Sequence, residues 1–157
     1  MSELPDRFPR GWFVLGHQRD FEIESTKTIY AFNRKLLVTR NGDNSISLDP
    51  GNGESWPTLE INQMVMCWHD VEGGEPDYEP EKIDACYSDE WSDYGMASFL
   101  VKNNCRELID NMADKGHFGP VHQAPFEGFW NEAKDHTYTQ EMTAVSYTHL
   151  RAHETRF

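Results

Sequence analysis

The chain has 157 residues, with 14 Lys plus Arg against 27 Asp plus Glu and a formal charge of −13. That length suits one domain or a shortened pair, and so acidic a surface repels nucleic acid phosphates and anionic lipid, so neither is an expected partner. A content of 38% hydrophobic and 13% aromatic residues excludes disorder throughout.

From the N-terminus, "GWFVLG" reads as a buried strand from about Trp12. "TIYAF" and "KLLVT" form the next two strands, with Asn33 suited to the hairpin turn between them. Asn41-Gly42 signals another turn before a short strand at Ser45–Leu48, so this part is a small antiparallel sheet. "DPGNGESWP" is a loop or a seam. "QMVMCWH" is a further apolar strand, "DVEGGEPDYEPEKID" an acidic Pro/Gly linker, and "WSDYGMASFLV" another strand. No apolar run approaches the ~20 residues of a membrane span, and "MSELPDRFPR" has no signal pattern. Three scattered cysteines (Cys67, Cys86 and Cys105) make no disulfide framework, so a cytoplasmic location is expected.

"NCRELIDNMADKGH" carries the best helical pattern. Cys105, Leu108, Ile109 and Met112 recur at i, i+3, i+4 and i+7. Asn104 with Glu107 has capping-box spacing, Gly116 is a credible stop, and Pro120 opposes continuation. The predicted helix therefore covers 105–116. Asn111, Asp114 and His117 fall opposite its apolar stripe, and His122 follows the helix. Two imidazoles and a carboxylate make the facial triad of non-haem Fe(II) sites. The same residues also suit a solvated helix face, and spacing leaves both readings open.

His17 and His69 each end a strand and read as structural. Cys67-Trp68-His69 is half of a Rieske cluster signature, but no C-x-x-H accompanies it, since Cys86 precedes "YSD" and Cys105 precedes "REL". A zinc site from Cys67, His69, His117 and His122 has no recognised spacing. "HExxH", P-loop, "GxGxxG" and "GxSxG" motifs are absent. The run Glu72–Glu81 reads as a solvated linker rather than a calcium loop.

"NCRELIDNMADKGHFGPVHQAPF" resembles the catalytic-domain motif of Rieske-type non-haem iron oxygenase α subunits, in particular the oxygenase component of 3-ketosteroid 9α-hydroxylases. "FPRGWFVLGHQRDF" resembles the opening of those proteins, and "MCWHDVEGGEP" and "DEWSDY" their domain joint, in order across most of 5–142. The resemblance implies an α+β chain: the remnant of an antiparallel β Rieske domain (1–72), a linker (73–85) and the first part of an iron-binding catalytic domain (86–143). It implies that His117 and His122 are iron ligands. Asp114 matches the acidic residue hydrogen-bonded to a ligand histidine, which links the iron site to a neighbouring subunit's cluster. Asn111 matches a polar residue near the iron. Fe(II) and a [2Fe-2S] cluster, a reductase or ferredoxin partner, a steroid-like apolar substrate and homo-oligomeric rings are implied in the same way.

Three departures accompany the resemblance. After "SISLD" the cluster loops and all four of their ligands are missing, so Rieske ligation is excluded. The downstream carboxylate that completes the iron site is missing too, and neither Asp135 nor Glu141 has supporting spacing. Finally, "VSYTHLRAHET" matches a translation of a sequencing-library transposon adapter, so 144–157, with His149 and His153, is expected not to be native. The expected chain is thus an inactive oxygenase fragment. The alternatives are an acidic partner-binding domain of no catalytic function and a mis-joined gene product whose unpaired strands aggregate.

Overall fold

Strand β3 (Arg34–Arg40) shows why the first part of the chain folds as sheet. Leu36, Val38 and Arg40 alternate onto one face and are buried, while the residues between them are more exposed. The computed structural model describes residues 8–97, 99–103, 105–123 and 126–144. The chain divides into two units, 1–95 and 96–157.

The first unit holds two three-stranded antiparallel sheets. One has the order β1 (Gly11–His17), β6 (Met64–His69), β5 (Thr58–Ile61); the other is β2 (Ser25–Ala31), β3, β4 (Ile46–Asp49). Two-residue turns join β2 to β3 at Phe32-Asn33 and β5 to β6 at Asn62-Gln63, all four residues at positive φ, as the tight hairpin requires. Phe32 carries that strained backbone while its ring stacks on His69, centroids 4.4 Å apart and 6° from parallel. Phe21, Leu36, Val38 and Leu48 on the β2–β4 side meet Val65 and Cys67 of β6 in one core. Each such side chain contributes about 1.5–3 kcal/mol by leaving water.

Arg40 sits on this inward face and is only 5% exposed. Its guanidinium donates to both Glu60 carboxylate oxygens at 2.6 and 3.1 Å, to the Phe21 carbonyl at 3.0 Å, and to Asn44 Oδ1 at 2.7 Å. The pair ties β3 to β5, one sheet to the other.

The second unit contains α1 (Cys105–Ala113), α2 (Lys115–His122) and a hairpin of β7 (Phe126–Lys134) with β8 (Thr137–Ala144). Strands and helices in this proportion make the chain α+β.

Several local expectations change. The strand after Asn41-Gly42 begins at Ile46, and its turn places Asn44, not Gly42, at positive φ. Strands β5, β7 and β8 are additional to the strands expected from the sequence. "WSDYGMASFLV" forms no strand where it is described; with no partner strand among the described residues its apolar side chains stay out, Phe99 84% and Leu100 92% exposed. The helix predicted over 105–116 ends at Ala113. Asn104, its expected N-cap, lies outside the described residues.

Glu60→Ala strands a buried guanidinium and is expected to cost about 3 kcal/mol, read from urea melts of the full chain. Burial pushes the Cys67 thiol from 9.0 up to about 12. The folded state thus holds this proton more tightly than the unfolded state. The resulting stabilisation is complete below pH 9 and declines as pH rises toward about 12. Native iodoacetamide labelling at pH 8 should leave Cys67 unmodified while half-buried Cys86 reacts.

Candidate metal centre

Asp114 sets the local geometry. Its backbone is extended (φ −81°, ψ 96°), which stops α1, and its carboxylate accepts the Gly116 N–H at 2.8 Å as the N-cap of α2. The predicted stop at Gly116 thus fails because an Asp two residues earlier breaks one helix and starts the next. A side chain at Gly116 would come 3.1 Å from the Asp114 carboxylate, so glycine lets the cap close.

His117 follows as the third residue of α2. Its Nδ1 donates to the Asp114 carbonyl at 2.7 Å, and the Asp114 carboxylate lies 3.5 Å from the same nitrogen. A carbonyl oxygen only accepts, so Nδ1 carries a proton, and in the neutral tautomer the Nε2 lone pair is left for another partner. Nε2 is buried and makes no hydrogen bond among the described residues.

His122 ends α2. Pro120 lies inside the helix rather than beyond it, and the helix closes at Gln123, whose left-handed backbone (φ 53°, ψ 30°) returns its N–H to Gly119 and Phe118 carbonyls. An ideal helix turns residues five apart by about 140°. Here the His117 and His122 rings nevertheless lie with centroids 5.2 Å apart and planes 72° from parallel. Pro120 has no N–H to return to Gly116 and crowds that carbonyl, which relaxes the last turn. Phe118 lies against both imidazoles, 4.2 and 5.5 Å between centroids.

Asn111, on α1, is exposed. Because α1 stops before Asp114, Asn111, Asp114 and His117 do not share one helix face as expected. Gln140, a residue not singled out from the sequence, donates from β8 to the Met112 carbonyl at 2.5 Å and satisfies one of the end carbonyls of α1. Nothing in the sequence pattern marks that contact.

Two imidazoles bound to one ion at metal–nitrogen distances of about 2.1 Å have ring centroids within roughly 6.5 Å of each other. The observed 5.2 Å, with an orphaned Nε2, fits two ligands of a mononuclear metal. The fit stops at two: among the described residues no group of three His, Cys, Asp or Glu comes together, and neither Asp135 nor Glu141 completes the pair. His17 and His69 are in the other unit and are held otherwise. His17 Nδ1 accepts the Arg19 N–H, and His69 Nδ1 donates to the Pro9 carbonyl. No helix among the described residues is long and apolar enough to cross a membrane.

The fold is that of a Rieske oxygenase. Over 90% of this chain and 59% of the other, it matches the crystal structure of dicamba monooxygenase bound to dicamba with a TM-score of 0.67 at 15% identity. Residues 67–156 match the 3-ketosteroid 9α-hydroxylase C-terminal domain family, and the chain belongs to that family. It is 28% identical over 201 aligned positions to a 3-ketosteroid-9-alpha-monooxygenase oxygenase component of Rhodococcus rhodochrous, covering 97% of this chain and 51% of the relative. It is also 28% identical to the corresponding component of Mycolicibacterium smegmatis, covering 90% of this chain and 50% of the relative. A cholesterol 7-desaturase of Hemicentrotus pulcherrimus is 36% identical over 84 residues, 52% of this chain and 17% of that protein. The chain spans about half the length of the curated oxygenase components it matches.

Asp114→Ala removes the cap and the carboxylate beside His117, and should cost about 1 kcal/mol in thermal melts, with Asp114→Asn recovering most of it. Weak Co(II) binding, read from visible absorption, is expected for the full chain and lost in His117→Ala/His122→Ala.

Proposed function

We propose that His117 and His122 are two of three ligands of a mononuclear iron centre inherited from a Rieske-type oxygenase. Iron bound there would activate dioxygen with electrons from a [2Fe-2S] cluster. The observation that carries the reading is the buried Nε2 of His117, without a hydrogen-bond partner among the described residues, with the second imidazole in contact. Asp114 is a positioning residue: its carbonyl fixes the proton on Nδ1 of His117 and its carboxylate orients the ring. In an oligomer it would also face a neighbouring subunit's cluster. Asn111 supplies a polar group on the preceding helix.

The substrate class of the intact protein is a steroid-like apolar ring, supported by the names of the relatives, and its electron donor is a reductase or ferredoxin. We further propose that the present chain does not turn over. The 201-position alignment exceeds the chain's own 157 residues, so several dozen positions of the relative face no residue here, in keeping with a lost cluster loop. The three cysteines do not supply a C-x-H and C-x-x-H pair, and the third iron ligand is not contributed by the described residues. For the tail we keep the adapter origin, although the family match overlaps it; sequencing the transcript across codons 144–157 tests that separately.

The test of the oxygenase reading is paired. Full chain loaded with Fe(II) anaerobically should hold iron that His117→Ala/His122→Ala does not. On adding oxygen, a ferredoxin-reductase pair and a 3-ketosteroid, product should match the double variant. Equal iron retention in both proteins would overturn the ligand assignment, and product above the double variant would overturn the inactivity.

A further inference from the structure

Two Asn-Gly pairs stand in loops of the first unit, Asn41-Gly42 between β3 and β4 and Asn52-Gly53 between β4 and β5. Asparagine is thermolabile, and most so before glycine, where no Cβ shields the amide nitrogen that can attack the side chain. The two pairs are held differently. Asn41 is half-buried; its N–H donates to the Ser45 carbonyl at 2.9 Å, and its carbonyl accepts the Asn44 N–H at 3.0 Å. Its Nδ2 donates to Ser45 Oγ at 2.9 Å. The Glu24 side chain covers Gly42, its carboxylate 3.2 Å from where a Cβ would stand. Attack on Asn41 therefore has to break the turn that ends the β3–β4 ladder.

Asn52 is exposed, and among the described residues 49–55 make no backbone–backbone hydrogen bond with one another; the loop is closed only at its base, where the Trp56 N–H donates to the Leu48 carbonyl at 3.1 Å. Gly53 has a left-handed backbone (φ 79°) and nothing within 4 Å of where a Cβ would stand. Its N–H makes no hydrogen bond among the described residues, so the nitrogen is open to base. The Asn52 carboxamide is folded back over it. Oδ1 accepts the Glu54 N–H at 3.2 Å, and Nδ2 donates to the Glu54 carboxylate at 2.8 Å. The ring so closed contains both the Gly53 nitrogen and the carboxamide carbon, which keeps the two reacting atoms together. The Glu54 N–H sits on the oxygen that becomes negative as that carbon is attacked. We propose that Asn52 is a self-modification site. The Gly53 nitrogen gives its proton to a solvent base and bonds to Asn52 Cγ; the Cγ–Nδ2 bond breaks, and ammonia leaves with a proton from water. Water then opens the five-membered imide at either carbonyl, giving isoaspartate or aspartate, so one water is consumed and one ammonia released. The new carboxylate, and in isoaspartate an extra main-chain methylene, fall in the connection between the two sheets.

The test is the full chain kept in warm, mildly alkaline buffer, sampled over days and digested at mildly acidic pH. Peptide mass spectrometry with electron-transfer fragmentation locates each conversion and separates isoaspartate from aspartate. Asn52 should convert at least about tenfold faster than Asn41, since each hydrogen bond that Asn41 must give up slows it about fivefold. In urea that unfolds the chain the two rates should become comparable, because both sites then present the same Asn-Gly chemistry. Ser45→Ala removes one tie on Asn41 and should raise the Asn41 rate about fivefold, leaving Asn52 unchanged. Gly53→Ala should slow Asn52 alone. If either variant fails to fold by circular dichroism, the comparison of folded and urea-unfolded wild type decides. Asn41 converting as fast as Asn52 in the folded chain, a preference for Asn52 undiminished in urea, or an unmodified Asn52 overturns the proposal.

Discussion

The second unit is organised by the interaction between Asp114 and the two helices beside it. One residue in extended backbone ends α1, and its carboxylate restarts the chain as α2. Its carbonyl receives the His117 proton. An uninterrupted helix through this point would have kept Asn111, Asp114 and His117 on one side and left His122 unrelated to them. The break re-aims His117 relative to α1 and leaves His122 to be brought round by the turn that Pro120 loosens. The apposition of two imidazoles is therefore a property of a cap and a proline, two local features with large backbone consequences, rather than of helical periodicity.

The first unit depends on a different constraint. Its two sheets share one apolar core, and a buried cation on the central strand β3 ties one sheet to the edge strand β5 of the other. Arg40 occupies a position where alternation calls for an apolar residue. The carboxylate of Glu60, the Phe21 carbonyl and Asn44 replace the water it gives up. His69 solves a related problem with aromatic walls and one carbonyl. Both groups are polar residues placed where the pattern alone would put a core side chain, and both have stated partners.

Much of this was legible in the sequence, for identifiable reasons. Strands β1, β2, β3 and β6 carry apolar residues dense enough to read directly, and Asn33 marks its hairpin because asparagine tolerates the positive φ that a two-residue turn demands. Strand β5 is four residues long and follows a Gly/Pro loop, too short for alternation to register. In β7 and β8 the apolar residues Phe129, Trp130, Tyr138 and Met142 are spread among polar ones on a ribbon with little burial, so neither period appears. The helix end is not legible because Gly116 is a stronger conventional stop than Asp114, and only the three-dimensional cap shows which one acts. The pair of histidines was visible as a motif; that their rings meet could not be read from a spacing of five.

The β7–β8 ribbon has a consequence of its own. Trp130, Tyr138 and Met142 are 48, 41 and 50% exposed, and among the described residues no third strand lies on either flank. Two strands alone are marginal in water, and their outer amide rows can template the addition of another strand. In a cell the lifetime of such a chain would then be governed by how quickly its ribbons find one another, a rate that rises with expression level, before the intrinsic stability of its first unit came into play.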